Sequence, residues 1–214
     1  MWPRQNEYLY ARKGLFSFGR KEATDILISI TVLTFAFAIA FSNGLQGVYS
    51  DPLFFIRYTL PVAFLSVFTA FFLHEMGHRI LARKYGCWSE FRMWERGLIF
   101  AVITAFLGFV FAAPGAVYIS GMITREQNGK ISAAGPAVNV AIAFIMIGVA
   151  LFTSPFIGGI ALFIAWINIF LAGFNLIPFP PLDGSKVLKW GIIPYISMVA
   201  LVIIAYMALE SVGI

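Results

Sequence analysis

Long apolar runs divide the chain, at residues 26–41, 59–85, 98–119, 132–152, 160–177 and 192–209. Most come close to the roughly 20 residues that an α-helix needs to cross a hydrocarbon core about 30 Å thick. Inside lipid, every backbone N–H and C=O must find its partner within the protein, so runs of this kind fold as helices rather than as lipid-facing loops or open strands. Charge is scarce, at 12% of residues against about 25% in soluble domains, and mean hydropathy is +0.87. The pattern predicts an all-α polytopic membrane protein with five to six transmembrane helices in a lipid bilayer. A membrane core of that size leaves no room in 214 residues for an added soluble domain of ordinary length. The net charge of +5 marks loop orientation. No basic stripe, zinc-ribbon spacing or base-stacking motif points to nucleic acid. One cysteine, Cys87, excludes an intramolecular disulfide.

Against that background His74-Glu75-Met76-Gly77-His78 stands out, because it holds both histidines of the chain. Residues i and i+4 share a helix face, so both imidazoles can address one metal ion. Glu75 projects beside the pair, placed to act as general base on water. This is the physical content of the H-E-x-x-H zinc-peptidase helix. The motif follows the apolar stretch 62–73. Two imidazoles and a carboxylate at membrane depth cost several kcal/mol each unless partnered or functional. With a helix starting near Thr59 and Pro61 in its first turn, His74 lies about 22 Å along it at ~1.5 Å per residue. The metal is then roughly 10 Å inside the cytoplasmic face of a ~30 Å core.

Basic residues set the orientation. Arg79, Arg83, Lys84, Arg92 and Arg96 follow the motif, and Lys186 and Lys189 follow the fifth apolar run, which places both ends in the cytoplasm by the positive-inside rule. The N-terminus falls on the same side. The chain reads as an N-terminal cytoplasmic or interfacial arm (1–25), a first transmembrane helix with an external loop (26–58), a membrane core (59–189) and a last transmembrane helix (190–214). Thr124–Lys130 reads as a polar loop around the turn pair Asn128-Gly129.

Two histidines do not complete a catalytic zinc site, which takes a third protein ligand and an open position. No histidine remains, so the third ligand is acidic, with Cys87 as a poorer choice past the helix end. Glu90 and Glu95 lie among arginines. Asp183 follows the break at Pro178, Pro180 and Pro181, at the cytoplasmic end of an apolar run. Unwound backbone of that kind is tolerated in a membrane where protein or a water-filled cavity receives it.

Three motifs together resemble the site-2 protease family of intramembrane zinc metalloproteases. His74-Glu75-Met76-Gly77-His78 matches its H-E-x-x-H. Asn175-Leu176-Ile177-Pro178-Phe179-Pro180-Pro181-Leu182-Asp183-Gly184 is similar to its N-x-x-P…L-D-G element, and Ala134-Gly135-Pro136-Ala137-Val138-Asn139 to the Gly-Pro opening of the helix between them. The resemblance implies one Zn2+ per chain on His74, His78 and Asp183. It implies Glu75 as general base and Asn175 as a group that positions substrate or stabilises the oxyanion. Its substrates would be transmembrane helices of other proteins. The alternative, a metal-ion transporter or a metal-binding scaffold without peptidase activity, fits less well. Transporters line a path through several spans with polar groups, whereas here they gather near one face.

Residues 98–119 depart from that pattern, being longer than a linking β-hairpin. Both flanks are cytoplasmic by the argument above, so the segment must enter and return. Gly108 and Pro114-Gly115 are the places to turn. A re-entrant segment or short membrane-associated β-hairpin is expected, with Gly115–Ile119 as a strand able to pair with an extended substrate.

Overall fold

The computed structural model describes residues 14–213. They form two compact units, one of residues 14–17, 73–89 and 119–213, the other of Phe18–Phe72 and Glu90–Tyr118. Five helical stretches are long and apolar enough to cross a membrane: Arg20–Phe41, Pro52–Lys84, Arg125–Leu151, Pro155–Asn175 and Ile192–Val212. This is the polytopic helical class expected, at the lower of the two counts.

In the second unit, α1 (Arg20–Phe41) starts six residues before the apolar run does. The charged residues read as part of an arm are helical because they find partners. Glu22 is fully buried and its Oε1 accepts from the backbone N–H of Phe91 at 3.2 Å. Asp25 is paired with Lys21 at 2.6 Å. The first thirteen residues of the expected arm lie outside the described residues. Asn43 and Gly44 end α1 with φ of 55° and 76°. After α2 (Leu45–Ser50) comes an unbroken 33-residue helical run, Pro52–Lys84. Its parts are α3 (Pro52–Phe54), α4 (Leu60–Val67) and α5 (Leu73–Lys84), joined by π-helical turns at Phe55–Thr59 and Phe68–Phe72. Thr59 does not cap this helix. It lies inside it, with helical φ and ψ. The cap is Asp51, whose side chain accepts from Phe54 N at 2.9 Å, with Pro52 in the first turn. Counted from Pro52, His74 is about 33 Å along the helix at ~1.5 Å per residue, so the depth inferred from Thr59 loses its starting point.

Strand β1 (Trp88–Met93) pairs with β2 (Gly115–Ser120) in a two-stranded sheet. Gly115 lies against Arg92 and Met93 and Gly121 against Cys87, so the strands are antiparallel. Between them sits α6 (Glu95–Ala105), followed by a turn at Gly108 with φ +85°. Eleven residues make about 16 Å of helix, half of what a crossing needs. The segment returns to where it left: Trp94 N donates to Pro114 O at 2.9 Å. Leu33, Val67, Leu98 and Ala101 form the core of this unit.

The first unit is built around α7 (Arg125–Leu151), which packs against α5, α8 (Pro155–Asn175), α9 (Asp183–Trp190) and α10 (Ile192–Val212). Residues 124–130 are not a loop. Thr124 and Gln127 form a reciprocal capping box, Thr124 Oγ1 accepting from Gln127 N and Gln127 Oε1 from Thr124 N, and this starts the helix seven residues before the apolar run. Gly129 is no turn residue; a Cβ there would come within 2.2 Å of Trp190. Small residues at Ala143, Ala165, Ala172 and Ala205 let α7, α8 and α10 approach closely, the usual way helices associate in lipid.

Gly115 has φ +148°, and a Cβ there would meet Arg92 O at 2.2 Å and Phe91 Cζ at 2.7 Å. Gly115→Ala is expected to cost about 1–3 kcal/mol of local stability. Hydrogen exchange at the Trp94 amide should rise sharply in the variant. Unchanged protection would contradict the pairing.

Candidate metal centre

His74, Glu75 and His78 lie on α5, and Asp183 is the first residue of α9. One turn of α5 separates the histidines and brings their Nε2 atoms to 3.0 Å. Asp183 reaches them because the helix breaks after Asn175 and the chain re-enters as α9. Gly184 permits this fold-back, since a Cβ there would lie 2.1 Å from Leu176 O. Asp183 Oδ2 is 3.4 Å from His74 Nε2 and 3.0 Å from His78 Nε2. All three side chains are buried. Among the described residues, this is the one cluster of three His, Cys, Asp or Glu side chains suited to a metal ion.

The donor set fits zinc. Tetrahedral zinc with ligands at about 2.0–2.1 Å needs donors about 3.3 Å apart, close to the observed triangle. The ring nitrogens facing away complete the argument. His78 Nδ1 bonds to Ile131 O at 2.7 Å and His74 Nδ1 to Asn139 Oδ1 at 2.5 Å. Both partners accept, so each neutral ring carries its proton on Nδ1 and a bare lone pair on Nε2. With the ring protons on Nδ1, two lone pairs and a carboxylate oxygen point into one space, a donor set that suits a metal cation. Space is left for one: a Cβ on Gly135 would lie 2.4 Å from His78 Nε2 and 2.6 Å from His74 Nε2.

Glu75 is half-buried and adjoins His74 at the start of α5. Asn175 is at the end of α8, half-buried, with its Nδ2 donating to Leu171 O at 3.0 Å in its own helix. The structure records no contact between Asn175 and the triangle. Cys87 is packed with Ala82 and Ile131 in an apolar cluster, and burial pushes its thiol up. Glu90 is paired with Arg92, and Glu95 is exposed at the start of α6. Of the acidic candidates left open by the sequence, Asp183 is the one brought to the histidines. The sequence reading did not single out Asn168, which bonds to Asn139. An amide in the middle of the apolar run 160–177 is the available signal, because polar groups at membrane depth are rare without a task.

The protein-family model described as Peptidase family M50 matches residues 156–193, the stretch holding α8, the helix break and Asp183. A protein of Methanocaldococcus jannaschii named as a zinc metalloprotease, MJ0611, is 44% identical over 198 residues, covering 90% of this chain and 96% of its own. The chain belongs to peptidase family M50, the site-2 protease family. Zinc metalloprotease MJ0392 of the same organism is 32% identical over 130 residues, 60% of this chain and 33% of that protein. Rip2 of Mycolicibacterium smegmatis, also named as a zinc metalloprotease, is 30% identical over 138 residues, 55% of this chain and 52% of its own. No solved structure matches the chain. As an M50 member it is a zinc metalloprotease, and His74, His78 and Asp183 are a group that could hold a metal ion.

Gly135 makes the fit testable without touching a ligand. Gly135→Ala is expected to drive a methyl group toward the two Nε2 atoms and to lower zinc content. Elemental analysis of the purified variant checks this; full occupancy would show that the space beside Gly135 is not needed for the ion.

Proposed function

We propose that this protein is an intramembrane endopeptidase that hydrolyses peptide bonds within or near transmembrane helices of other membrane proteins. His74, His78 and Asp183 hold one zinc ion and Glu75 is the general base. The observation that carries this reading is the buried triangle of His74 Nε2, His78 Nε2 and Asp183 Oδ2, built on helices of a membrane protein. Zinc, when bound, supplies a Lewis acid for a carbonyl and acidifies water. The chain's own residues do the rest. Glu75 takes the proton of the attacking water on a carboxylate oxygen and later gives it to the nitrogen of the leaving amine. Asn175 offers an amide N–H to the developing oxyanion. A substrate helix hides its carbonyls in i→i−4 bonds and must unwind before attack. Among the described residues β2 has a strand neighbour on one edge only, which suits it to receive such a segment in extended form.

The topology follows from five spans. With Arg79, Arg83 and Lys84 at one end of the long helix and Lys186 and Lys189 on α9, the positive-inside rule puts these ends, the N-terminus and the active site on the cytoplasmic side. The re-entrant α6 segment dips from that same side. The start of α7 is then cytoplasmic too. A cysteine placed at Gln127 should label from the cytoplasmic face of sealed vesicles. Labelling from the external face alone would overturn the topology.

The central experiment separates base from ligands. Glu75→Gln should retain zinc and lose cleavage of single-span substrates, whereas His74→Ala, His78→Ala and Asp183→Ala should each lose the metal. A transporter or scaffold would be indifferent to Glu75→Gln. Asn175→Ala should keep zinc and lower turnover by about 10²–10³, the usual loss for an oxyanion donor. Unchanged turnover would return Asn175 to the backbone bond with Leu171.

A further inference from the structure

Asn139 and Asn168 are both fully buried, on the helices α7 and α8 that pack against each other. Buried amides in an apolar bundle are costly unless their hydrogen bonds are made, and an apolar residue of similar shape would pack as well. Here they are linked in one direction. Asn168 Nδ2 donates to Ile164 O at 2.9 Å, four residues back on its own helix. A carbonyl can only accept, so the nitrogen of the Asn168 amide must face it and Oδ1 must face the other way. Asn139 Nδ2 donates to that Oδ1 at 2.9 Å. The orientation of the Asn139 amide is thereby fixed, and its Oδ1 is the atom left for His74 Nδ1. The imidazole then has to carry its proton on Nδ1, and Nε2 is bare toward His78 and Asp183. Turning the Asn139 amide over would present N–H to Nδ1 and drive the ring proton to Nε2, where it would block coordination. His78 has no such need, because its Nδ1 meets the backbone carbonyl of Ile131 directly.

We infer that Asn139 and Asn168 are positioning residues for the metal: a relay, anchored on the Ile164 carbonyl, that sets the tautomer and ring orientation of His74. The inference rests on the reading of His74, His78 and Asp183 as zinc ligands. In this role neither amide is a ligand of the ion. Outer partners of this kind commonly change metal affinity 10- to 100-fold.

The test is zinc affinity of the purified full-length protein in detergent, by competition with a chromophoric chelator, with size-exclusion profiles reporting the fold. Asn139→Leu removes the acceptor and is expected to weaken zinc binding by about 10–100-fold. Asn139→Asp keeps an acceptor for His74 Nδ1 but turns its second oxygen on Asn168 Oδ1, so it is paired with Asn168→Leu, and the Asn139→Asp/Asn168→Leu double variant should bind zinc close to wild type. Asn168→Leu should fall between, because it releases the Asn139 amide without removing it. On the Asn139→Asp background, Asn168→Leu should therefore strengthen zinc binding, the opposite of its effect in the wild-type chain. A role confined to packing puts the double variant below Asn168→Leu, since a buried carboxylate is worse than a buried asparagine in an apolar bundle. The double variant binding more weakly than Asn168→Leu, or Asn139→Leu at wild-type affinity, would overturn the relay. If Asn139→Leu does not fold, Asn168→Leu against the Asn139→Asp/Asn168→Leu double variant carries the test: rescue by the aspartate supports the relay, and its absence overturns it. His74→Ala keeps the two failures apart. If the relay alone is wrong, His74→Ala still loses zinc; if His74→Ala binds zinc like wild type, the ligand assignment itself is wrong.

Discussion

His74 Nε2, His78 Nε2 and Asp183 Oδ2 lie within 3.4 Å of one another, three metal-binding atoms gathered in one buried place. The surrounding unit holds that gathering in place. Its central helix, α7, contributes the Ile131 carbonyl, the gap at Gly135 and the Asn139 amide, all aimed at the two imidazoles. Gly77 on α5 allows the close approach: a Cβ there would meet Ala134 O at 2.9 Å. The Gly-Pro opening of α7 is therefore the floor of the metal site as much as a packing seam between helices.

Burial serves the chemistry as well as the fold. In a low-dielectric bundle, misplaced protons and unpaired polar atoms are expensive, so a bonded chain from Ile164 O through Asn168 and Asn139 holds one tautomer of His74 firmly. Similar economy holds the start of the chain. Arg79 is fully buried one residue after His78, and its guanidinium donates to the carbonyls of Leu15 and Ser17. Arg83 donates to Gly14 O and Ser17 O, each at 2.9 Å. The basic residues that mark the end of the long helix in sequence thus also tie residues 14–17 to it.

What the sequence made legible follows interaction range. The histidine pair and Glu75 were readable because four-residue spacing is local and helical. The apolar runs gave the membrane class, and the sidedness argument anticipated that residues 98–119 turn back. Helix starts were misread wherever charged or polar residues were taken for loop. Arg20–Asp25 is helical because Glu22 meets Phe91 N, a contact far apart in sequence, and Thr124–Lys130 is helical because of a capping box hidden beside an Asn-Gly pair. Thr59 looked like a cap because Pro61 follows it, but Asp51-Pro52 has the same signature and the actual hydrogen bond. Asp183 emerged from elimination and family resemblance, since periodicity cannot show that two distant stretches meet. Asn168 went unnoticed for the same reason.

The account stands or falls on which atoms hold the zinc. X-ray absorption at the zinc edge of the purified protein reads those atoms directly. Nitrogen and oxygen donors at about 2.0–2.1 Å, with imidazole scattering from two rings and no sulfur, are expected. A sulfur shell near 2.3 Å would bring Cys87 into the site, and the triangle of His74, His78 and Asp183 would not be the metal centre.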